Sequence, residues 1–364
     1  MEKKYTVALI IPSLHAGGME RVMSELANYF VQKPYLQVHL ILYGIKREIF
    51  FSVHPNITIH KPVFAFDNTQ RFLHSIKTLL FVRKKVKTLQ PHTILSFGEF
   101  WNSFVMLALL GLKYPIYLSD RSQPNKPLSF IQNTLRNFLY PKATGIIAQT
   151  NIAKQIYATK YQHHNVKVIG NPIRKIQPNI AIKKENIVLS VGRLISTKHH
   201  NELIKLFVSI DKPNWKLVIV GDDAIKQNNL TKLKALVDTL NANDKVILVG
   251  SSNNVDDYYL KSKIFAFTSS SEGFPNVLAE AQAAGIASIA FDCIAGPADI
   301  ITDNVDGFLI PLFNYQLFQQ KLALLMDDEH LCATMGNAAK NNNNKFFVND
   351  IAAAYEKFIT EKIA

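Results

Sequence analysis

Cysteine is nearly absent: the 364 residues hold two, Cys293 and Cys332. That excludes a disulfide framework and fits a reducing compartment. Long apolar runs are missing too. The longest, residues 104–112, stops at Lys113, well short of the ~20 residues that a crossing helix needs. A shorter run near the N-terminus ends in Pro12 with no small-residue cleavage site after it. It reads as a first buried strand and not as a signal peptide. Zinc spacings, RNA-binding signatures and an Arg-rich tail do not occur. A non-enzymatic, basic nucleic-acid-binding protein is therefore permitted by charge alone and has no motif behind it. Acidic residues are scarce in one half only. Residues 1–172 carry 21 Lys/Arg against 7 Asp/Glu, a net of +14; residues 173–364 carry 20 against 21, a net of −1. Charge kept for solubility would be spread over both halves. A one-sided field points to an anionic partner on the first: nucleic acid, an anionic membrane or a phosphorylated substrate.

What is present is an ordinary globular composition, 48% apolar and 19% charged, in a length that suggests two domains. Short Val/Ile/Leu-rich runs alternate with helical patterns. Strands are expected at 6–11, 37–43, 93–97, 116–119, 145–149 and 167–169, then at 186–191, 216–220, 245–249, 264–268 and 287–290. Helices are expected at 20–31, 200–208 and 229–241. Continuous apolar strands alternating with helices imply an α/β fold of parallel, doubly wound sheets covered by helices. Gly170-Asn171-Pro172 and the polar, Lys-containing stretch to Glu185 form a linker signature. The expected domains are 1–171 and 172–345, with 346–364 a C-terminal helix returning to the first domain.

The chemistry concentrates in Ser271-Glu272-Gly273-Phe274-Pro275-Asn276-Val277-Leu278-Ala279-Glu280. A strand ends before it, and Asn276 opens a helix. That helix start offers backbone N–H groups and a positive dipole end to a phosphate or a sugar hydroxyl. Glu272 lies at a strand's C-terminal end, where open α/β sheets bind ligands, and Glu280 could reach a ribose diol. Taken alone, the two read as an exposed turn acid and a solvated helix acid. Upstream, Gly192-Arg193 and Lys198 put two cations on one loop, suited to a diphosphate. Asp222-Asp223 and Asp256-Asp257 read as solvated loop acids and not as a metal site.

Together these residues resemble the large family of retaining glycosyltransferases of group 1, family 4. Its mark is a Glu-x7-Glu motif after a Ser-rich strand end, preceded by Gly-Arg and Lys about 80 residues earlier. The Phe-Pro-Asn variant resembles transferases of bacterial surface polysaccharide and lipid-linked oligosaccharide synthesis. The resemblance implies the GT-B fold, two Rossmann-like domains facing across a cleft. It implies that Glu272 holds the donor sugar's hydroxyls and that Arg193 and Lys198 stabilise the leaving diphosphate. The backbone of Gly273, Phe274, Pro275, Asn276 and Val277 would meet sugar and phosphates, and Glu280 the ribose. Gly250 and Ser251 would lie at the nucleobase. In the first half, Gly17 and Gly18 open a helix, and Gly18 would face the diphosphate. Asp120, where many members have His, could touch the donor sugar or the acceptor nucleophile.

The acceptor side is expected on a helix over 71–88. Phe72, Ile76, Leu79 or Leu80, Val82 and Val86 form an apolar face. Arg71, His74, Lys77, Phe81, Lys84 and Lys85 form a basic stripe. A docked surface helix and a contact with anionic headgroups or a lipid diphosphate both fit such a pattern. The resemblance favours the second, with Arg71, Lys77, Lys84, Lys85 and Arg121 on the acceptor or membrane. The implied enzyme is a hexosyl- or N-acetylhexosaminyltransferase with a UDP-linked co-substrate, no metal, no other cofactor and no nucleic-acid partner. It would be cytoplasmic, peripheral at the inner face of the membrane. A sugar-nucleotide epimerase of the same fold is the competing enzyme.

Overall fold

The computed structural model describes residues 4–15, 17–44, 48–179, 181–224 and 227–362. Contacts divide the chain into Met1–Pro172 with Val348–Ala364, and Ile173–Phe347.

The first unit is built on seven parallel strands: β1 (Tyr5–Ile11), β2 (Leu36–Leu42), β3 (Thr58–His60), β4 (Thr93–Phe97), β5 (Ile116–Ser119), β6 (Gly145–Ala148) and β7 (Val166–Val168), in the order β3-β2-β1-β4-β5-β6-β7. Val7 through Ile11 are fully buried, because helices cover both faces of a parallel sheet. Those helices are α1 (Gly18–Phe30), α2 (Arg71–Leu89), α3 (Glu99–Ala108), α4 (Phe130–Leu139) and α5 (Asn151–Tyr161). Thr150 starts α5 by accepting the Ala153 N–H at 3.1 Å, satisfying a donor the helix cannot satisfy itself.

The second unit has six parallel strands: β8 (Glu185–Val191), β9 (Lys216–Val220), β10 (Val246–Gly250), β11 (Ser262–Phe267), β12 (Ala287–Asp292) and β13 (Gly307–Pro311), ordered β10-β9-β8-β11-β12-β13. Around them lie α6 (His200–Ile210), α7 (Asn229–Thr239), α8 (Val255–Lys261), α9 (Asn276–Ala283), α10 (Pro297–Ile300), α11 (Tyr315–Asp327) and α12 (Glu329–Asn342). The chain then re-enters the first unit as α13 (Val348–Thr360). There Tyr355 packs on Phe97, and Phe358 on Tyr117.

In both sheets the strand order reverses beside the first strand of the unit. Such a switch point leaves a crevice at the carboxyl ends of the two flanking strands, and ligands bind there. In the second unit those strands are β8 and β11. Two elements differ from expectation. β3 is a three-residue edge strand, too short to carry a pattern. Residues 304–311, outside the expected strands, supply a turn at Asn304 (φ +59°) and then β13.

Candidate active site

At the switch point of the second sheet, β8 runs into Gly192-Arg193 and β11 into Thr268–Glu272. Gly192 (φ +154°) and Gly221 (φ +153°) meet there: a Cβ on Gly221 would lie 1.9 Å from the Gly192 carbonyl oxygen. Only glycine lets β8 and β9 end so close together. The loop after Gly192 is then stitched to the end of β11. The Ser270 N–H donates to Thr197 O at 2.8 Å, Thr268 Oγ1 to Lys198 O at 2.7 Å, and Ser269 Oγ to Thr197 O at 3.3 Å. His199 Nε2 and Ser270 Oγ lie 2.8 Å apart. The serine run is thus a clamp joining the cation loop to the glutamate loop.

The clamp brings Lys198 Nζ to 2.6 Å from Glu272 Oε1, with the two side chains 15% and 14% exposed. Lys198 also lies over the Phe267 ring, 5.1 Å from its centroid. Arg193 is exposed and has no ion-pair partner among the described residues. One cation is thus held beside the motif's first glutamate, and a second stands on the same loop.

Phe274 is buried against Phe346, with ring centroids 5.2 Å apart, so its side chain anchors the turn. Burying a phenyl group contributes roughly 1.5–3 kcal/mol. Pro275 stacks directly on Gly296 (φ +107°), where a Cβ would lie 2.1 Å from the proline Cδ. Pro275 is the N-cap of α9, and no side chain caps that helix start. Gly250 (φ +79°) ends β10 with open space around it, and Ser251 is exposed. Cys293 is buried, and burial, then the nearby Glu272 carboxylate, push its thiol up to about 12; it stays an unreactive thiol.

Glu280 is 5% exposed, not the solvated helix acid its position suggested. It accepts a hydrogen bond from Tyr259 Oη at 3.2 Å and faces Arg174 Nε at 3.9 Å. Of the acidic pairs, Asp222 is an exposed loop acid, but Asp223 and Asp256 have partners. Asp223 accepts the Asn229 N–H at 2.7 Å at the start of α7, and Asp256 pairs with Arg174. Among the described residues no three His, Cys, Asp or Glu side chains are grouped to hold a metal ion.

The first unit corrects several expectations. Asp120 is 2% exposed. It accepts from Tyr140 Oη at 2.7 Å and Asn102 Nδ2 at 3.0 Å, and is ion-paired with Arg136. Burial opposes the Arg136 charge, but the Asp120 carboxylate outweighs it and the pKa rises. Asp120 is therefore an internal counter-ion with no oxygen presented to a substrate. Arg121 is half-buried: it stacks on Phe97 at 4.5 Å and donates to Tyr355 Oη at 3.1 Å. Burial lowers its pKa. It ties α13 to the sheet, and its Nη2 is buried without a hydrogen-bond partner among the described residues. At Gly17 the space a Cβ would fill is taken by the Glu20 carboxylate, 2.2 Å from that position; this acid is buried at the start of α1, 3.5 Å from His15 Nδ1.

α2 also differs. Only Thr78, Val82 and Val86 are buried. Phe72, Leu73, Ile76 and Leu80 are exposed, Phe72 at 81%. Arg71, Lys77 and Lys84 share that exposure, whereas Lys85 is half-buried and His74 packs between Phe64 and Phe66. The first half of the helix has no apolar floor, so its face is apolar and basic at once. No described helix is long and apolar enough to cross a membrane.

With this geometry in hand, residues 172–342 match the family model "Glycosyl transferases group 1", and residues 16–175 match "Glycosyltransferase Family 4". A Campylobacter jejuni protein named N-acetylgalactosamine-N,N'-diacetylbacillosaminyl-diphospho-undecaprenol 4-alpha-N-acetylgalactosaminyltransferase is 30% identical over 93% of this chain and 95% of its own. The chain belongs to this glycosyltransferase family. A second C. jejuni transferase, named GalNAc-alpha-(1->4)-GalNAc-alpha-(1->3)-diNAcBac-PP-undecaprenol alpha-1,4-N-acetyl-D-galactosaminyltransferase, is 28% identical over 98% of both chains. The fold is GT-B; a solved glycosyltransferase of Rickettsia africae superposes with a TM-score of 0.82 over 99% of both chains at 17% identity. This glycosyltransferase therefore carries its most specific motif, Glu272 to Glu280, at the switch point of its second Rossmann-like sheet. Two residues of that neighbourhood, Arg174 and Tyr259 around Glu280, gave no sequence signal. Each is far from the motif in sequence, and only the fold brings it near.

Proposed function

We propose that this glycosyltransferase moves a hexose or N-acetylhexosamine, with retention, from a UDP-linked donor to a lipid-diphosphate-linked or polysaccharide acceptor, without a metal. The observation that carries the reading is Lys198 held 2.6 Å from Glu272, with Arg193 exposed on the same loop. A donor entering there meets two cations for its diphosphate and a carboxylate for its sugar hydroxyls. Lys198 would turn from Glu272 to the phosphates and leave Glu272 to accept from the sugar. As the bond from the anomeric carbon to the β-phosphate oxygen breaks, its electron pair stays on that oxygen, where Arg193 and Lys198 stabilise the growing charge. The acceptor hydroxyl forms its bond on the same face and gives its proton to the departing phosphate. Asp120, buried and paired, is not needed as a base.

The acceptor side of the proposal rests on α2. Exposed Lys77 and Lys84 beside Phe72, Ile76 and Leu80 fit a face lying on anionic headgroups, near a lipid diphosphate. The undecaprenol-linked substrates in the names of the two C. jejuni relatives support this acceptor class. No comparison favours the epimerase or the nucleic-acid reading.

The test is a panel of nucleotide sugars scored by thermal stabilisation. A UDP-sugar is expected to raise the midpoint, since a ligand at ~100 times its Kd adds about 2.7 kcal/mol. Stabilisation by no nucleotide sugar, with a salt-dependent shift on RNA, would reverse the reading.

A further inference from the structure

The second glutamate of the motif is held by side chains that lie outside the motif. Arg174 is in the segment just after Asn171-Pro172. Its Nη1 donates to Asp256 Oδ2 at 2.7 Å, and Nη2 contacts the other Asp256 oxygen. Its Nε faces Glu280 Oε1 at 3.9 Å. On α8, the hydroxyl of fully buried Tyr259 lies 3.2 Å from Glu280 Oε2 and 3.3 Å from the Val277 carbonyl oxygen, two acceptors for its one proton. Each oxygen of Glu280 therefore has a different neighbour.

A carboxylate this buried keeps its charge only with compensating partners. Arginine can serve two acids at once, because its fork and its Nε edge point in fixed, different directions. Asp256 takes the fork and so sets the plane of the guanidinium. That plane presents Nε to Glu280. The Arg174 side chain is 41% exposed, so the cluster reaches solvent on that side. Each carboxylate oxygen can accept more than one hydrogen bond, so Glu280 keeps acceptor capacity for a ligand.

We infer that Arg174, braced by Asp256, is a positioning residue for the donor's ribose. It holds Glu280 oriented to accept from the ribose hydroxyls, with Tyr259 beside the other oxygen. This rests on the reading of Glu280 as the ribose acid. Lysine at 174 would keep the charge and lose the fork, so the bracing would fail in part.

The test compares UDP with 2′,3′-dideoxyUDP by calorimetric titration. It uses the unaltered protein and the variants Arg174→Gln, Arg174→Lys, Asp256→Asn and Glu280→Gln. The quantity read is the ratio of the two Kd values. Charge-assisted hydrogen bonds to the ribose predict a ratio on the order of tenfold in the unaltered protein. Glu280→Gln and Arg174→Gln are expected to collapse it toward unity, and Arg174→Lys and Asp256→Asn to lower it part-way. The loss falls on UDP and spares the dideoxy nucleotide. A purely structural role would weaken both nucleotides alike and leave the ratio intact. Should Arg174→Gln fail to fold, Asp256→Asn and Arg174→Lys decide between the two roles in its place. An intact ratio in the Arg174 and Asp256 variants, with a lowered one in Glu280→Gln, overturns this inference alone. An intact ratio in Glu280→Gln, or no UDP binding by the unaltered protein, overturns the ribose reading and the inference with it.

Discussion

The end of β5 in the first unit and the ends of β8 and β11 in the second carry the same kinds of residue and use them in opposite ways. After β5, Asp120 and Arg121 turn inward. Asp120 neutralises Arg136, and Arg121 packs on Phe97 and donates to Tyr355. After β8 and β11, Arg193 stays exposed and the Lys198–Glu272 pair, though mostly covered, keeps an edge in contact with solvent. A charged residue at a strand's carboxyl end is thus a site only where the fold leaves it something to give. What decides is the neighbour: Arg136 and Tyr140 exist to satisfy Asp120, whereas the partners of Glu272 and Lys198 are each other.

The largest expected effect breaks this contrast on its structural side. Asp120→Ala leaves Arg136, whose side chain is 3% exposed, without its counter-ion. Losing one member of a buried pair costs about 3–5 kcal/mol, so the denaturant midpoint should fall sharply. A midpoint unchanged from the unaltered protein would return Asp120 to the candidates for substrate contact. A smaller effect sharpens the contrast in charge between the halves. Lys77→Glu with Lys84→Glu should weaken binding to phosphatidylglycerol vesicles by more than tenfold, at roughly 1 kcal/mol per cation removed. Sedimentation with vesicles reads this, and the donor Kd should not move. Equal binding by the double variant would remove α2 from the membrane face.

A further effect, read in pH, concerns His200, buried beside the cation loop. Burial first, then Lys198, hold its pKa at about 3 against 6.5 for the free side chain. Between those values the unfolded chain takes up a proton that the folded chain refuses, so stability falls as pH drops from 7 toward 4. His200→Gln should flatten that slope in thermal unfolding. An unchanged slope would place the acid sensitivity elsewhere, for example in the His39–His60 pair, where burial lowers His60 to about 4.

The alternation of apolar strands and helices was legible because strands buried on both faces read as continuous apolar runs. Two strands went unread: β3 is a three-residue, poorly buried edge strand, and β13 is a short buried run that follows directly on the turn at Asn304. The chemistry of Glu272 to Glu280 was legible because the motif is local. The state of each charge was not. Asp120, Arg121 and Glu280 owe their burial to Arg136, Tyr355 and Arg174, which lie 16, 234 and 106 residues away in sequence. The apolar stripe of α2 was seen, but an amphipathic pattern does not say whether a floor exists beneath it, and at Phe72 and Ile76 none does.

The central claim is that Glu272 and Lys198 meet in order to bind a donor and not to hold the fold together. Glu272→Ala measures it directly, assayed for sugar transfer and for denaturant stability in the same preparation. Transfer should drop by about 10²–10³ or more, as when a transition-state contact is lost. The unfolding midpoint should fall by less than in Asp120→Ala, since Lys198 and Glu272 keep some solvent contact whereas Arg136 and Asp120 keep almost none. Full transfer activity, or a loss that merely tracks unfolding, would contradict the account.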